Sequence, residues 1–231
     1  MATERIHDDA VALLSGNEDF TLKGDKIGFN VLDFWKFQFS NLPDMQGRVG
    51  EFIVAKALDK ELPDNNNGWT PWDINYNSKR VEVKTTAYYQ PWREKEEYSE
   101  KRTFGITKSH DPVDEKLKRM NDIYVFVLNK GKNKQEADPL QLEHWEFYVI
   151  STSVINKECG DNKSISLSKV KKLYKKVFGT DEGLPFDKLK DAVDRIINGI
   201  NNRFNDIEGS VITKKDGTQW EFRDGKMIQI K

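Results

Sequence analysis

The chain has few of the residues that carry soft-metal or nucleophilic chemistry: one cysteine, Cys159, and three histidines, His7, His110 and His144, among 231 residues. They are too few and too scattered for a structural zinc site. Nothing else in the sequence supports a nucleophilic pair of Cys159 with His144. No glycine-rich phosphate loop, serine nucleophile elbow or internal repeat is present. The start carries no signal peptide and no apolar run is long enough to span a bilayer, so a cytoplasmic protein with no membrane partner is expected. Excess charge is missing as well. Lysine and arginine number 37 against 38 acids, giving a formal net charge of -1. That balance neither supports nor excludes a nucleic-acid partner, because a local basic strip is enough to hold a phosphate backbone.

A composition of 32% charged and 37% hydrophobic residues is that of a polar globular protein, long enough for one domain or one domain with an appendage. Within it the stretch from Trp72 to Lys84 stands out. Two short runs of alternating apolar and polar residues flank Asn77-Ser78, which predicts a β-hairpin. With those two residues as the loop, the expected opposite pairs are Tyr76 with Lys79, Asn75 with Arg80, Ile74 with Val81, Asp73 with Glu82, and Trp72 with Val83. That register sends Trp72, Ile74, Val81 and Val83 to one face and gathers Asp73, Glu82 and Lys84 on the other.

Two carboxylates facing each other across a ladder repel unless a cation sits between them, and hard oxygen ligands at that separation suit magnesium. A lysine two residues beyond Glu82 points to the same face, where its ammonium can reach a phosphate oxygen or the water about to attack it. The pattern asks for metal-assisted phosphoryl chemistry. The competing reading is a solvated strand face of mixed charge.

In this arrangement, Pro71-Trp72-Asp73, eight residues, then Glu82-Val83-Lys84, the chain resembles the PD-(D/E)xK nucleases. Many members of that superfamily carry a further acid on the helix before the hairpin. Met45 to Leu58 reads as that helix, opened by Pro43-Asp44 and closed before Pro63. Glu51 falls within its stripe of Gly47, Val54, Ala55 and Leu58, and Gly47, Gly50 and Ala55 would let the helix approach the sheet closely. Glu51 either shares the metal or sits at the edge of a packed face. The resemblance implies an α/β fold with a restriction-endonuclease-like core, a central mixed sheet flanked by helices, carrying a C-terminal helical and β-meander extension. It further implies that Asp73, Glu82 and the Val83 carbonyl hold one or two magnesium ions, for which manganese can substitute, with Glu51 assisting. Lys84 would position and activate the water.

Along the rest of the chain, Ala10 to Leu14 is a short apolar piece, and Ile27, Val31, Phe34, Trp35 and Gln38 predict an amphipathic helix capped by Asp25. Asp64 to Gly68 reads as a loop. Tyr88, Tyr89, Gln90, Trp92 and Arg93, in an exposed insertion, either touch a nucleic-acid backbone or base, or pack the loop onto the core. Thr103 to Thr107 reads as a third strand, Pro112 to Met120 as a short helix, and Ile123 to Leu128 as a strand covered on both faces. The order helix, strand, strand, strand, helix, strand is that of the resembled superfamily. His144 to Thr152 adds a strand. Lys163, Lys169, Lys171, Lys172, Lys175 and Lys176 form the densest basic patch, either a duplex-binding strip or a solvated helix face. Phe186, Leu189, Val193, Ile196, Ile197, Ile200 and Phe204 predict a helix that packs on the core or on a second subunit. Asp216-Gly217 and Asp224-Gly225 between alternating runs predict a three-stranded meander.

The expected organisation is a nuclease core over residues 1–155 with helices and meander over 156–231 packed on it. The expected activity is magnesium-dependent cleavage of double-stranded DNA by a homodimer, most similar to a type II restriction endonuclease. A repair or junction nuclease of the same fold, or a non-catalytic nucleic-acid-binding module, are the alternatives.

Overall fold

A computed structural model describes residues 15–38, 46–60, 71–90, 98–111, 113, 115–205, 211–213, 217–223 and 226–230. The expectations for Ala10 to Leu14, Asp64 to Gly68, Trp92 and Arg93 lie outside these residues, as do the turn residues Asp216, Asp224 and Gly225.

The first elements of the described residues are a hairpin, β1 (Asp19–Leu22) and β2 (Asp25–Asn30), followed by helix α1 (Val31–Gln38). The helix expected from Asp25 therefore begins six residues later. Gly24 and Gly28 have φ of 93° and 87°, and Lys23 has 55°, values that turn a strand and break a helix. Asn30 takes the capping role instead: its Oδ1 accepts the Asp33 amide while Asp33 Oδ2 accepts the Asn30 amide.

Helix α2 (Gln46–Ala57) leads to β3 (Ile74–Tyr76) and β4 (Lys79–Ala87), joined by Asn77 and Ser78 with φ of 47° and 61°. Two consecutive left-handed residues make the two-residue turn that fits the twist of a hairpin. Beyond β4 come three short strands, β5 (Thr103–Gly105), β6 (Ser109–His110) and β7 (Leu117–Lys118), then β8 (Ile123–Asn129) and β9 (Trp145–Ser151). The main sheet is mixed, with four strands in the order β3-β4-β8-β9, and only the β4–β8 pair is parallel.

Such a parallel pair needs a long crossover. Here it contains no α-helix among the described residues, so the expected helix at Pro112 to Met120 gives way to the β6–β7 hairpin. The residues that would have opened the helix close a turn: Glu115 has φ of 57° and donates its amide to the Asp111 carbonyl, and Asp111 donates to Lys116. The expected third strand forms over Thr103–Gly105 but pairs with β10 (Ser164–Ser166), outside the main sheet. The helix-strand order read from the sequence is thus kept only in part.

All seven residues of β8 are buried, the expected signature of a strand covered on both faces. On one face Val81, Val83, Ile123, Val125, Phe147 and Val149 pack against α2 and α5 (Leu189–Asn205). On the other, Tyr124, Phe126, Leu128, Tyr148 and Ile150 pack against α3 (Thr152–Cys159) and α4 (Leu167–Phe178). The apolar stripe of α5 is therefore covered by the chain's own core, with Leu189, Val193, Ile196 and Ile197 buried in it. The described part is mixed α/β, with five α-helices, and closes with a meander of β11 (Val211–Thr213), β12 (Gln219–Arg223) and β13 (Lys226–Gln229).

The approach of α2 to β4 depends on Gly50 and not on Gly47, which is exposed. A Cβ at Gly50 would stand 2.1 Å from Thr85 Oγ1 and 3.1 Å from Thr85 Cβ and Cγ2. Ala is favoured over Gly in a helix by about 1 kcal/mol, while overpacking a well-filled contact costs about 1 to 3 kcal/mol. Turning Thr85 Oγ1 aside leaves its Cβ, which rotation does not move, still 3.1 Å away, and the branched side chain has few rotamers to choose from. Gly50→Ala is therefore expected to destabilise by up to about 2 kcal/mol in urea unfolding, and Thr85→Ala in the same chain to recover part of the loss.

Candidate active site

The last ladder pair between β3 and β4 is Ile74 with Val81. Asp73 continues the contact by other means: its amide donates to the Val81 carbonyl at 3.0 Å, and its Oδ2 accepts the Val83 N–H at 2.7 Å. The expected backbone pairs of Asp73 with Glu82 and Trp72 with Val83 are not part of the ladder. Trp72 also leaves the apolar face assigned to it. Its indole N–H donates to Asn75 Oδ1 at 2.9 Å and the Arg80 guanidinium lies 5.3 Å from its ring centroid, on the polar side of the hairpin. With no ladder at Trp72 the strand alternation lapses, and a cation over the indole face decides where the ring goes.

The convergence expected of the hairpin does form. Asp73, Glu82 and Lys84 line one cleft of about 340 Å³. Lys84 Nζ is ion-paired with Glu82 Oε1. The N–H and C=O of a strand residue face the same edge, so the Val83 carbonyl shares the edge that Asp73 occupies. Glu51 approaches from α2, half-buried and bonded to Arg48 at 2.8 Å.

Three carboxylates in a partly dry site oppose one another's ionisation. Burial, then the Asp73 and Glu51 charges, push the Glu82 carboxyl up to about 7 against the opposing pull of Lys84. Glu51 is raised by burial and then by Asp73, with Arg48 and Lys84 opposing. Asp73 is raised by burial, opposed first by the Val83 N–H and then by Lys84 and Arg48.

The cleft also contains residues that the sequence did not single out. Arg119, Met120 and Asn121 line it from the end of the crossover, and Tyr124 lies beside Glu82 on the neighbouring strand. The Arg119 side chain is buried and fully engaged: it donates to the carbonyls of Ile106, Gly160 and Asn162 and to Asn156 Oδ1. It therefore holds the cleft wall to the end of α3. Asn121 Nδ2 donates to the Ile123 carbonyl and Thr152 Oγ1. Local pattern gives no sign of these roles, since Arg119 and Asn121 fall in an irregular stretch and Tyr124 is hidden in an apolar run.

The described residues among those expected at a nucleic-acid surface do not line the cleft. The Tyr88 carbonyl and the Gln90 side chain accept from the buried Arg102, and the Tyr88 ring meets Tyr98 edge-on at 5.7 Å. Of the α4 lysines, Lys169 donates to the Glu158 carbonyl, Lys176 pairs with the Glu158 carboxylate and Lys175 with Asp181. Lys171 sits 5.9 Å from the Tyr148 ring centroid, and Lys172 is exposed. Cys159 is buried in the core under α3 and α4.

The donor set of Asp73, Glu82, Glu51 and the Val83 carbonyl consists of hard oxygens whose mutual repulsion a divalent cation would relieve, and in chemistry it fits magnesium. Among the described residues no group of three or more His, Cys, Asp or Glu side chains is already gathered at ligating distance. No helix of the described residues is long and apolar enough to cross a membrane. Comparison of the chain with models of known families, with curated proteins and with solved structures finds no match.

The charge at Glu82 carries a cost in stability. The folded chain binds this proton more tightly than the unfolded chain, so stability falls as pH rises from 4.5 towards about 7, and the loss is complete above that range. The gap is worth on the order of 3 kcal/mol. In EDTA at pH 8, Glu82→Gln is expected to be more stable than wild type by on the order of 3 kcal/mol, the pull of Lys84 being already counted in the raised Glu82 carboxyl. Urea unfolding at pH 4.5 and pH 8 checks this, the two proteins being close to equal at the lower pH.

Proposed function

We propose that the protein is a magnesium-dependent endonuclease that hydrolyses phosphodiester bonds in double-stranded DNA, on a core like that of the restriction endonucleases. The observation that supports this reading is the lining of one cleft by Asp73, Glu82 and Lys84, with Asp73 fixed on the Val83 N–H. Asp73, Glu82 and the Val83 carbonyl would hold one or two magnesium ions, with Glu51 assisting. When bound, the cation polarises the phosphate and eases deprotonation of a water.

The chain's own groups account for the rest. Lys84 brings an ammonium to the same face as the carboxylates, where it orients the attacking water and offsets charge growing on the phosphate. Its place is set by the strand, because Glu82 and Lys84 are two residues apart and share a face. Tyr124 and Asn121 line the same cleft, Tyr124 beside Glu82 on the neighbouring strand. A restriction enzyme cutting both strands of a symmetric site would act as a two-fold dimer.

Supercoiled plasmid tests the reading. Wild type is expected to nick it in magnesium or manganese, and Asp73→Asn and Lys84→Ala each to lower the rate by about a hundredfold or more. Lys172→Ala, on the exposed face of α4, is expected to retain the wild-type rate. DNA binding without cleavage in either metal would leave a binding module. Cleavage confined to branched DNA or RNA would move the substrate and keep the chemistry.

A further inference from the structure

The nuclease reading leaves unexplained how Asp73 is held, since it stands outside the β3 ladder and burial works against its charge. The residue before it is unusually well fixed. Arg80 lies across the Trp72 ring, its guanidinium 5.3 Å from the centroid, while the Trp72 indole N–H is tied to Asn75 Oδ1 at 2.9 Å. Arg80 is in turn held by Asp122, the residue that follows cleft-lining Asn121. Its Nε and Nη2 donate to Asp122 Oδ2 and Oδ1 at 3.1 and 3.3 Å, and its backbone amide donates to Asp122 Oδ2 at 2.8 Å. The Asp122 amide answers by donating to the Arg80 carbonyl at 2.8 Å, and its own carbonyl accepts the Thr152 amide at 2.9 Å. The chain of contacts runs from the start of β8, across β4, to the segment that enters β3.

We propose that Arg80 is a positioning residue for Asp73, acting through Trp72 and anchored by Asp122. The guanidinium is suited to this because one planar group can bond a carboxylate along its edge and stack on an indole with its face, which an ammonium cannot do. Burial raises the Asp122 carboxyl, but the Arg80 bonds outweigh it and hold the group below the ordinary carboxylate range. The clamp thus stays charged and closed at neutral pH. Arg80 touches neither Glu82 nor Lys84 in this scheme; it fixes the backbone from which Asp73 reaches the Val83 amide.

As a statement about catalysis the proposal rests on the nuclease reading, but the Val83 amide reports on it independently. The Val83 N–H is bonded to Asp73 Oδ2, so its hydrogen exchange reads whether Asp73 is in place. In the full-length labelled protein, Arg80→Ala and Trp72→Leu are expected to speed Val83 exchange by about tenfold or more, with the Val125 and Val127 amides of β8 unchanged. Trp72→Phe keeps a ring under Arg80 and is expected to stay within about threefold of wild type. Plasmid nicking by Arg80→Ala should fall by about ten- to a hundredfold in kcat, with DNA affinity little altered. Unchanged Val83 exchange in both Arg80→Ala and Trp72→Leu overturns the proposal, and so does equal acceleration of every amide in the sheet, which would mark a general loss of stability. If wild type cleaves no DNA the nuclease reading fails, and Val83 exchange alone then decides the clamp.

Discussion

The hydrogen bond from the Val83 amide to Asp73 Oδ2 is the contact on which the site turns. Strand β3 pairs with β4 only as far as Ile74, which leaves the edge of β4 bare at Val83. A bare strand edge exposes donors and acceptors that must find partners. Here a side-chain carboxylate takes the donor that a backbone carbonyl would otherwise have met. The substitution has two effects at once. It terminates the sheet without leaving the amide unsatisfied, and it fixes an acidic group beside two side chains, Glu82 and Lys84, that strand geometry already points to one side.

The rest of the fold supports that edge. The buried β8 ties β4 into two separate cores, one under α2 and α5 and the other under α3 and α4. Gly50 lets α2 lie close against Thr85, which brings Glu51 within electrostatic reach of Asp73 and Glu82. Arg119 spends its whole guanidinium on main-chain carbonyls and Asn156, and so fastens the crossover that walls the cleft to the end of α3. A site that concentrates like charge is destabilising where it stands, and a rigid surround is what keeps such groups from moving apart.

Much of this was legible before any coordinates, and the reasons are local. The Asn77-Ser78 turn, the strand at Ile123 to Leu128, the helix bearing Glu51, the stripe of α5 and the final meander each follow from periodicity over a few residues. The misreadings arise where a single residue outweighs the pattern. Gly28 with positive φ turned an apparent amphipathic helix into a strand, and Glu115 in the left-handed region turned the stretch before Met120 into a hairpin. Trp72 followed the charge on Arg80 and not strand alternation. The cleft residues Arg119, Asn121 and Tyr124 had no local mark at all, because their role comes from a crossover whose path depends on contacts far along the chain.

The charge distribution carries the argument one step further. The lysines of α4 look in sequence like an uninterrupted basic strip, yet Glu158 and Asp181 arrive from flanking segments to pair with Lys176 and Lys175. Among the described residues near the cleft, Arg48 and Lys84 are each already engaged with a carboxylate of the site, and Arg119 with main-chain carbonyls and Asn156. With a formal net charge of -1, the molecule carries no net positive charge with which to gather a polyanion. On the nuclease reading, recognition of a phosphate at this cleft would depend on short-range geometry: a carboxylate pair held at a sheet edge and an ammonium on the same face. On the same reading Asp73 has to be fixed firmly, since a site that works through short-range contacts gains nothing from groups that are only approximately in place.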